Sequence, residues 1–251
     1  MKIRFLGAHN TETSNVGLMC LLLDESVALD TGSLTSKLSL EQQLALKAAL
    51  ITHPHYDHFR DLPMLGMNLF LNEGKIKVYG SQAVRDTLAQ HVLDGKVYSK
   101  FFERGIIEFQ ALEPNKAAQI EGYEVTPLPV FHSAPGTGFW VKKDGRSFLY
   151  TGDTGPGLSE CWRNASPELL IIEVTASNRY ADWGRTSGHL TPDLLKEELV
   201  SFRQIRGYLP KVLTVHMNPA LELEIAPELA KVSESLACDI SLAWEGLEVE
   251  V

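Results

Sequence analysis

Between residues 51 and 58 the chain reads Ile51-Thr52-His53-Pro54-His55-Tyr56-Asp57-His58. Three histidines and one aspartate fall within six positions, directly after an apolar run at residues 48–52. A short apolar run bounded by turn residues is a buried strand, which puts the imidazoles and the carboxylate on the loop at its end. Neutral imidazole and carboxylate are the donors that zinc and similar divalent ions take, and a metal that ties separate segments together needs them to converge on loops. The chain has 8 histidines in 251 residues, so three of them here are poorly explained as a surface loop rich in histidine by chance.

The remaining elements follow a definite order. Apolar runs at 16–23 and 26–29 end in turn chemistry, Asp24-Glu25 and then Asp30-Thr31-Gly32. Propensity and spacing predict a helix over 40–50 running into the strand at 48–52, a helix over 59–72, a strand at 76–79 and a helix capped by Ser81 towards residue 93. Residues 123–126 alternate, and 138–142 and 146–151 flank Lys143-Asp144-Gly145, a hairpin signal. A strand at 169–174, a helix at 192–202, a strand at 211–215, a helix at 226–237 and a strand at 247–251 complete the chain. Two packed sheets with helices outside, an α/β αββα sandwich, accommodate that order. No repeat or linker interrupts it, so residues 1–251 are expected to form a single domain. The segment 95–113, with Phe101, Phe102, Ile106, Ile107 and Phe109, reads most simply as a buried edge; a lid or a homodimer contact are the alternatives.

Composition narrows the setting. The chain is 44% hydrophobic and 22% charged, ordinary for a soluble globular protein. No apolar run approaches the ~20 residues that cross a bilayer, so no membrane partner is expected. The opening Met1-Lys2-Ile3-Arg4-Phe5-Leu6-Gly7 reads as a first strand, not a signal peptide. Cys20, Cys161 and Cys238 offer no disulfide framework, and a cytoplasmic location is the simplest expectation. The formal charge is −9, from 23 Lys and Arg against 32 Asp and Glu. Proteins that grip long nucleic acids carry a basic footprint, so a long nucleic-acid partner is disfavoured and a small substrate favoured.

The motif His53-x-His55-x-Asp57-His58 resembles the signature of the metallo-β-lactamase superfamily, and the resemblance extends over nearly the whole chain. Asp30-Thr31-Gly32, His132 in Val130-Phe131-His132-Ser133, Asp153 in Thr151-Gly152-Asp153-Thr154 and His216 in Thr214-Val215-His216-Met217 occur in that superfamily's order. The resemblance implies the αββα fold. It implies that His53, His55 and His132 bind one metal, that Asp57, His58 and His216 bind a second, and that Asp153 bridges them. Asp30 would orient ligands instead of binding metal. Two divalent ions are then the expected cofactors, zinc first, with manganese or iron accepted by the same donors.

Two such ions about 3.5–4 Å apart can share a hydroxide as nucleophile and clamp the oxygens of a displacement, so the reaction class is hydrolysis. The fold does not choose among phosphodiesters, thioesters, lactones and lactams. No cysteine stands at a ligand position, unlike the zinc β-lactamases that use a thiolate. His55 stands where oxygen-reducing diiron relatives have a glutamate-bearing pattern, which disfavours a redox role.

Glu173-Val174-Thr175 and the later Ser187-Gly188-His189-Leu190-Thr191-Pro192 resemble an extra pair seen in the phosphodiesterase branch, which includes tRNA 3′-processing endonucleases and class II cyclic-nucleotide phosphodiesterases. The pair implies that His189 is the general acid or a phosphate-stabilising group and that Glu173 orients it. A leaving alkoxide needs a proton, and an imidazole with an ordinary pKa of ~6.5 suits that task. The plainer alternative is that His189 merely precedes a helix opened by Pro192 and capped by Thr191. Asp57, doubling as a ligand, joins His189 and Glu173 as the candidate catalytic residues.

The tRNA-processing relatives carry a long substrate-clamping arm between the motifs of His132 and Asp153. Here 153 − 132 = 21 residues hold one hairpin. A small phosphodiester such as a 3′,5′-cyclic nucleotide is therefore favoured over pre-tRNA. Trp183, Tyr180 and Phe139 are candidate walls for its base, and Arg185 and Asn218 candidate phosphate contacts, with ordinary packing the plainer role for each. The alternatives are a lactonase, a thioesterase or an RNA-processing phosphodiesterase on the same metals. A non-catalytic metal-binding accessory protein is disfavoured by the full ligand set.

Overall fold

A computed structural model describes residues 1–251. The first half runs β1 (Lys2–Gly7), β2 (Cys20–Leu23), β3 (Val27–Leu29), α1 (Leu34–Lys37), α2 (Leu40–Ala45), β4 (Ala48–Ile51), α3 (Tyr56–Phe59), α4 (Leu62–Leu71), β5 (Ile76–Gly80), α5 (Gln82–Thr87), a π turn at Leu88–Val92, and β6 (Ile107–Ala111). The second half runs β7 (Ala118–Ile120), β8 (Tyr123–Val130), β9 (Gly136–Lys143), β10 (Arg146–Tyr150), α6 (Ser159–Asn164), β11 (Leu169–Glu173), α7 (Ala181–Ser187), α8 (Pro192–Arg206), β12 (Lys211–Val215), α9 (Glu222–Leu236), β13 (Ile240–Leu242) and β14 (Glu248–Glu250). The strands form two seven-stranded sheets, β14-β1-β2-β3-β4-β5-β6 and β13-β12-β11-β10-β9-β8-β7.

The sheets face each other through Phe5, Leu21, Leu29 and Leu50 on one side and Val125, Phe139, Phe148 and Ile171 on the other. The outer face of the first sheet packs Ala49, Ile51 and Val78 under Leu62, Leu65 and Leu69 of α4. The outer face of the second packs Leu170 and Ile172 under Leu194, Leu199 and Phe202 of α8 and Ile225 of α9. Strands covered on both faces read as unbroken apolar runs, as β4 (AALI) and β11 (LLII) do. The αββα sandwich expected from the sequence is the observed architecture.

The differences from the sequence expectation have local causes. The helix expected over 40–50 stops at Ala45, because Lys47 donates to Ser26 O at 2.9 Å and the chain joins the sheet from Ala48. The helix expected over 59–72 is broken between Phe59 and Leu62. There the turn after β3 enters its bonding: Thr31 N donates to His58 O at 2.7 Å and Asp61 N to Thr31 O at 3.0 Å. The strand expected at 123–126 continues to Val130 through Pro127 and Pro129. It can, because β7 pairs only as far as Val125 and leaves that edge open, where a missing N–H costs nothing. The last long helix starts at Glu222, one turn before residue 226. The segment 95–113 ends in the sheet-edge strand β6 with Phe101 buried. Ser81 caps α5, accepting from Val84 N at 3.3 Å.

Candidate metal centre

The expected ligands all follow the carboxyl ends of strands. His53 follows β4, His132 follows β8, Asp153 follows β10 and His216 follows β12, while Asp57 and His58 lie on the short helix α3 after the β4 loop. Strands β3, β4 and β5 are parallel, as are β10, β11 and β12, and β8 runs with β10 through two antiparallel pairings. Their ends therefore open on one edge of the sandwich, where ligand sites of parallel sheets form. Asp30 and His216 sit immediately after strands with φ of +55° and +63°. Left-handed backbone at a non-glycine residue costs on the order of 1–3 kcal/mol and persists where its surroundings over-determine it. His216 is held by donating its N–H to Ala8 O at 2.6 Å.

The structure gathers all seven residues into two sets that share Asp153: His53, His55, His132 with Asp153, and Asp57, His58, His216 with Asp153, the donor atoms of each set lying within 4.8 Å of one another. In the first, His132 Nε2 is 3.1 Å from His55 Nδ1 and 3.9 Å from Asp153 Oδ2, and His53 Nε2 is 3.7 Å from Asp153 Oδ2. In the second, His216 Nε2 lies 3.1 Å from Asp57 Oδ2 and 3.3 Å from Asp153 Oδ2, and His58 Nε2 is 3.2 Å from Asp153 Oδ1. Two donors on one tetrahedral zinc, each bonded at ~2.0–2.1 Å, stand about 3.3 Å apart.

The proton positions also suit a cation. His132 Nδ1 lies 2.8 Å from Gly188 O, a carbonyl that only accepts, so Nδ1 carries the proton and Nε2 the lone pair. His58 Nδ1 donates likewise to Asp30 Oδ2 at 2.7 Å. Thr52 and Thr175 each spend their single hydroxyl proton on a carboxylate, Thr52 on Asp30 at 2.9 Å and Thr175 on Glu173 at 2.6 Å. Each hydroxyl oxygen therefore accepts from a histidine Nδ1–H, that of His53 at 3.1 Å and that of His216 at 2.8 Å. Four imidazoles thus turn Nε2 lone pairs into the centre. His53 Nε2, His58 Nε2 and Asp153 Oδ1 are buried with no hydrogen-bond partner in the protein, a costly arrangement that bound cations relieve. The residues fit the metals that the donor set implies.

Without a cation the charges are in tension. Burial opposes a charged His58, but Asp153 and Asp30 on either side outweigh it and hold its pKa well above the ordinary imidazole value. Burial and the charge of His58 push His53 well below it. Burial likewise works against Asp153, yet His216 and His58 keep the carboxyl well below the usual carboxylate range. A metal entering this site displaces protons, so its affinity weakens as the pH is lowered.

Glu173 and His189 lie beside the second set, with His189 and Glu173 again within 4.8 Å of Asp153 and His216. Glu173 is fully buried and its oxygens are already taken. Oε1 accepts from Thr154 N at 3.0 Å and His189 Nδ1 at 2.7 Å, and Oε2 from Leu190 N at 3.1 Å and Thr175 Oγ1 at 2.6 Å. It braces imidazoles and has no lone pair to spare for a metal. Burial would lower the pKa of His189, but the Glu173 carboxylate overrides it and pushes it up to about 9.

Other sequence expectations divide. Trp183 and Tyr180, 44% and 39% exposed, line a cleft of about 500 Å³ with Asn10, Thr175, Ala176 and Asn218. Phe139 is sealed between the sheets and can wall no substrate. Arg185 points away to Glu197 at 2.6 Å on the surface, so it is no phosphate contact here. Thr191 precedes α8 but makes no cap bond, its hydroxyl being buried without a partner, which removes the capping explanation of that segment. Tyr150, whose hydroxyl donates to Asp30 at 2.7 Å, and Thr52 had no signal in the sequence. The contact of Gly188 O with His132 had none either. Thr175 was legible only as part of the Glu-x-Thr motif.

The profile of the beta-lactamase superfamily domain matches residues 29–217. Ribonuclease Z of Methanosarcina acetivorans is 21% identical over 309 aligned residues, covering all of this chain and 98% of that protein. The 3′,5′-cyclic-nucleotide phosphodiesterase of Schizosaccharomyces pombe is 25% identical over 129 residues, 51% of this chain and 36% of that one. The solved structure of unliganded yeast PDE1 superposes with a TM-score of 0.84 at 17% identity, over all of this chain and 99% of that one; this likeness concerns the fold alone. The chain belongs to the beta-lactamase superfamily. Within it, the chain is a metal-dependent hydrolase with its relatives in the phosphodiesterase branch.

Proposed function

We propose that this protein is a two-metal phosphodiesterase acting on a small diester such as a 3′,5′-cyclic nucleotide. The observation that carries this reading is the pair Glu173–His189. It stands against Asp153 and His216 yet takes no part in either metal set, as a proton donor to a leaving group should. His53, His55 and His132 would hold one ion, Asp57, His58 and His216 the other, and Asp153 both. When bound, the ions supply Lewis acidity and an acidified water; zinc suits the donor set best.

The chain's own residues do the rest. Both hydrogen bonds of the His189 ring run through Nδ1, to Glu173 and to Thr175 at 3.2 Å, which leaves Nε2 free to donate. As water oxygen bonds to phosphorus and the bond from phosphorus to the ester oxygen breaks, His189 gives that oxygen its proton. Diester and water become monoester and hydroxyl, and the proton released by the water restores His189 through solvent. The cleft along Thr175 and Trp183 receives the substrate. The three cysteines are buried and unpaired, which suits a reducing, cytoplasmic setting.

A second reading, RNA 3′-end processing, is supported by the alignment with ribonuclease Z across the whole chain. Against it stand the charge of −9 and the segment from His132 to Asp153, filled by β9 and β10 around the two-residue turn Asp144-Gly145, both with positive φ. The test is hydrolysis of cyclic AMP, bis-p-nitrophenyl phosphate and a short pre-tRNA by the zinc- and manganese-loaded protein. Turnover of the first two with an intact RNA is the expected result. Cleavage of the RNA alone reverses the choice of substrate, and thioester or lactone turnover without phosphodiester cleavage overturns the proposal.

A further inference from the structure

Trp183 stacks on His189 with ring centroids 5.1 Å apart and planes at 12°. His216 lies parallel to the same imidazole at 5.7 Å and 10°, and His132 meets it edge-on at 4.8 Å and 71°. His189 is thus hemmed by three rings, two of them parallel to it. A hydrogen bond through Nδ1 fixes one point of an imidazole and leaves it free to tilt about that bond. Flat neighbours remove the tilt and so fix where Nε2 points. Such stacking is favourable beyond the area it buries, and an indole face also suits an imidazole carrying positive charge.

Ordinary packing does not account for Trp183. Trp162 fills the core under α8 and is fully buried, whereas Trp183 leaves 44% of its surface exposed and its stacking partner is His189. Its helix is built to hold that position. A Cβ on Gly184 would lie 2.9 Å from His189 O and 3.1 Å from Leu194 Cδ1, so α7 rests directly on the backbone of His189. Both Gly188 N and His189 N donate to Gly184 O, at 3.0 and 2.9 Å. Gly188, with φ of +79°, closes the helix and turns its carbonyl to His132 Nδ1. Trp183 and the proton donor are therefore carried by one short, tightly seated segment, which also holds His132 through the carbonyl of Gly188.

We infer that Trp183 is a positioning residue for His189, holding the imidazole in the orientation from which Nε2 reaches the leaving oxygen. The inference rests on the reading of His189 as general acid, and the experiment separates the two. Trp183→Leu, Trp183→Phe and His189→Ala are compared on cyclic AMP, whose alkoxide must be protonated to leave, and on bis-p-nitrophenyl phosphate, whose nitrophenolate leaves without a proton. Bound metal and circular dichroism are measured for each variant.

The expected result is a fall in kcat on cyclic AMP of about 10- to 100-fold for Trp183→Leu, the scale on which orienting partners act. Metal content stays near wild type, any rise in KM from the cleft that Trp183 also lines is shared by both esters, the fall in kcat on the nitrophenyl ester is much smaller, and Trp183→Phe recovers most of the loss. Equal losses on both esters, a change in KM alone, or no loss while His189→Ala shows the leaving-group dependence each overturn the role of Trp183 and spare that of His189. If His189→Ala itself treats the two esters alike, the general-acid reading fails and the role of Trp183 falls with it. A Trp183→Leu protein that does not fold passes the test to Trp183→Gln, for which a selective loss on cyclic AMP larger than that on the nitrophenyl ester supports the inference and none overturns it.

Discussion

The two sheets hold their parts of the centre with the same device and put it to different uses. On the first sheet a fully buried carboxylate, Asp30, takes the backbone N–H of Thr52 at 2.8 Å, the hydroxyls of Thr52 and Tyr150, and His58 Nδ1–H. On the second a fully buried carboxylate, Glu173, takes two backbone N–H groups, the hydroxyl of Thr175 and His189 Nδ1–H. In both, the threonine passes the orientation on to a further imidazole, His53 in one case and His216 in the other. Both imidazole branches from Asp30 end on expected metal ligands, His58 directly and His53 through Thr52. One branch from Glu173 ends on His216, and the other on His189, which the two metal sets leave free. A carboxylate that fixes a tautomer thus serves equally to hold a metal and to hold a proton donor, and the second sheet's version opens on the cleft.

That contrast can be broken at four places. His189→Ala removes the branch with no counterpart on the first sheet. Activity on an alkoxide-leaving diester should fall about 10²–10⁴-fold, the scale of general acid catalysis, with both ions retained and the melting temperature lowered because buried Glu173 loses its imidazole partner; steady-state kinetics beside metal counts and a melting curve check this. Asp30→Ala attacks the first sheet's network. It should cost metal affinity about 10–100-fold and destabilise the fold by about 3–5 kcal/mol, because His58 is left buried without its partner; chelator competition and urea unfolding measure the two. Thr175→Val cuts the branch from Glu173 to His216 and leaves the 2.7 Å bond between Glu173 and His189 in place, so metal affinity should drop by about tenfold, the lower end of that range.

The smallest effect lies where the first sheet meets the second, at His9 and Glu245. Burial opposes the charge of Glu245. His9 Nδ1 at 2.8 Å and the N–H groups of Gly17 and Ala8 outweigh it and depress the carboxyl pKa from 4.5 to about 2. A depressed carboxylate contributes stability above its ordinary pKa that is lost as pH falls towards the folded value. The difference in Tm between wild type and Glu245→Gln should therefore be largest above pH 4.5 and vanish near pH 2.

The same contrast explains what could be read from the sequence. The first sheet's ligands are contiguous and follow a four-residue strand, so His53, His55, Asp57 and His58 declare themselves locally. His132, Asp153 and His216 come singly from alternate strands of the second sheet, β8, β10 and β12, whose ends meet only through the order of that sheet, and they are legible as a set only through the resemblance to a family. The threonines, Tyr150 and the carbonyl of Gly188 act through distances fixed by packing, and nothing in their residue types announces it. Trp183 and Phe139 show the limit most clearly. As aromatic residues near motifs they look alike in sequence, yet one lies on a helix face against His189 and the other between the sheets. The helix breaks at Ala45 and Arg60 escaped because hydrogen bonds from β3 and the turn after it, distant in sequence, decide them.

Counting bound metal in wild type and His189→Ala, by titrating zinc into stripped protein, tests the central claim most directly. Two ions per chain in both proteins, with cyclic AMP hydrolysis lost only in the variant, is the predicted result. One ion or none in the wild type contradicts the two-metal centre, and an ion lost together with His189 makes that residue a ligand instead of the acid.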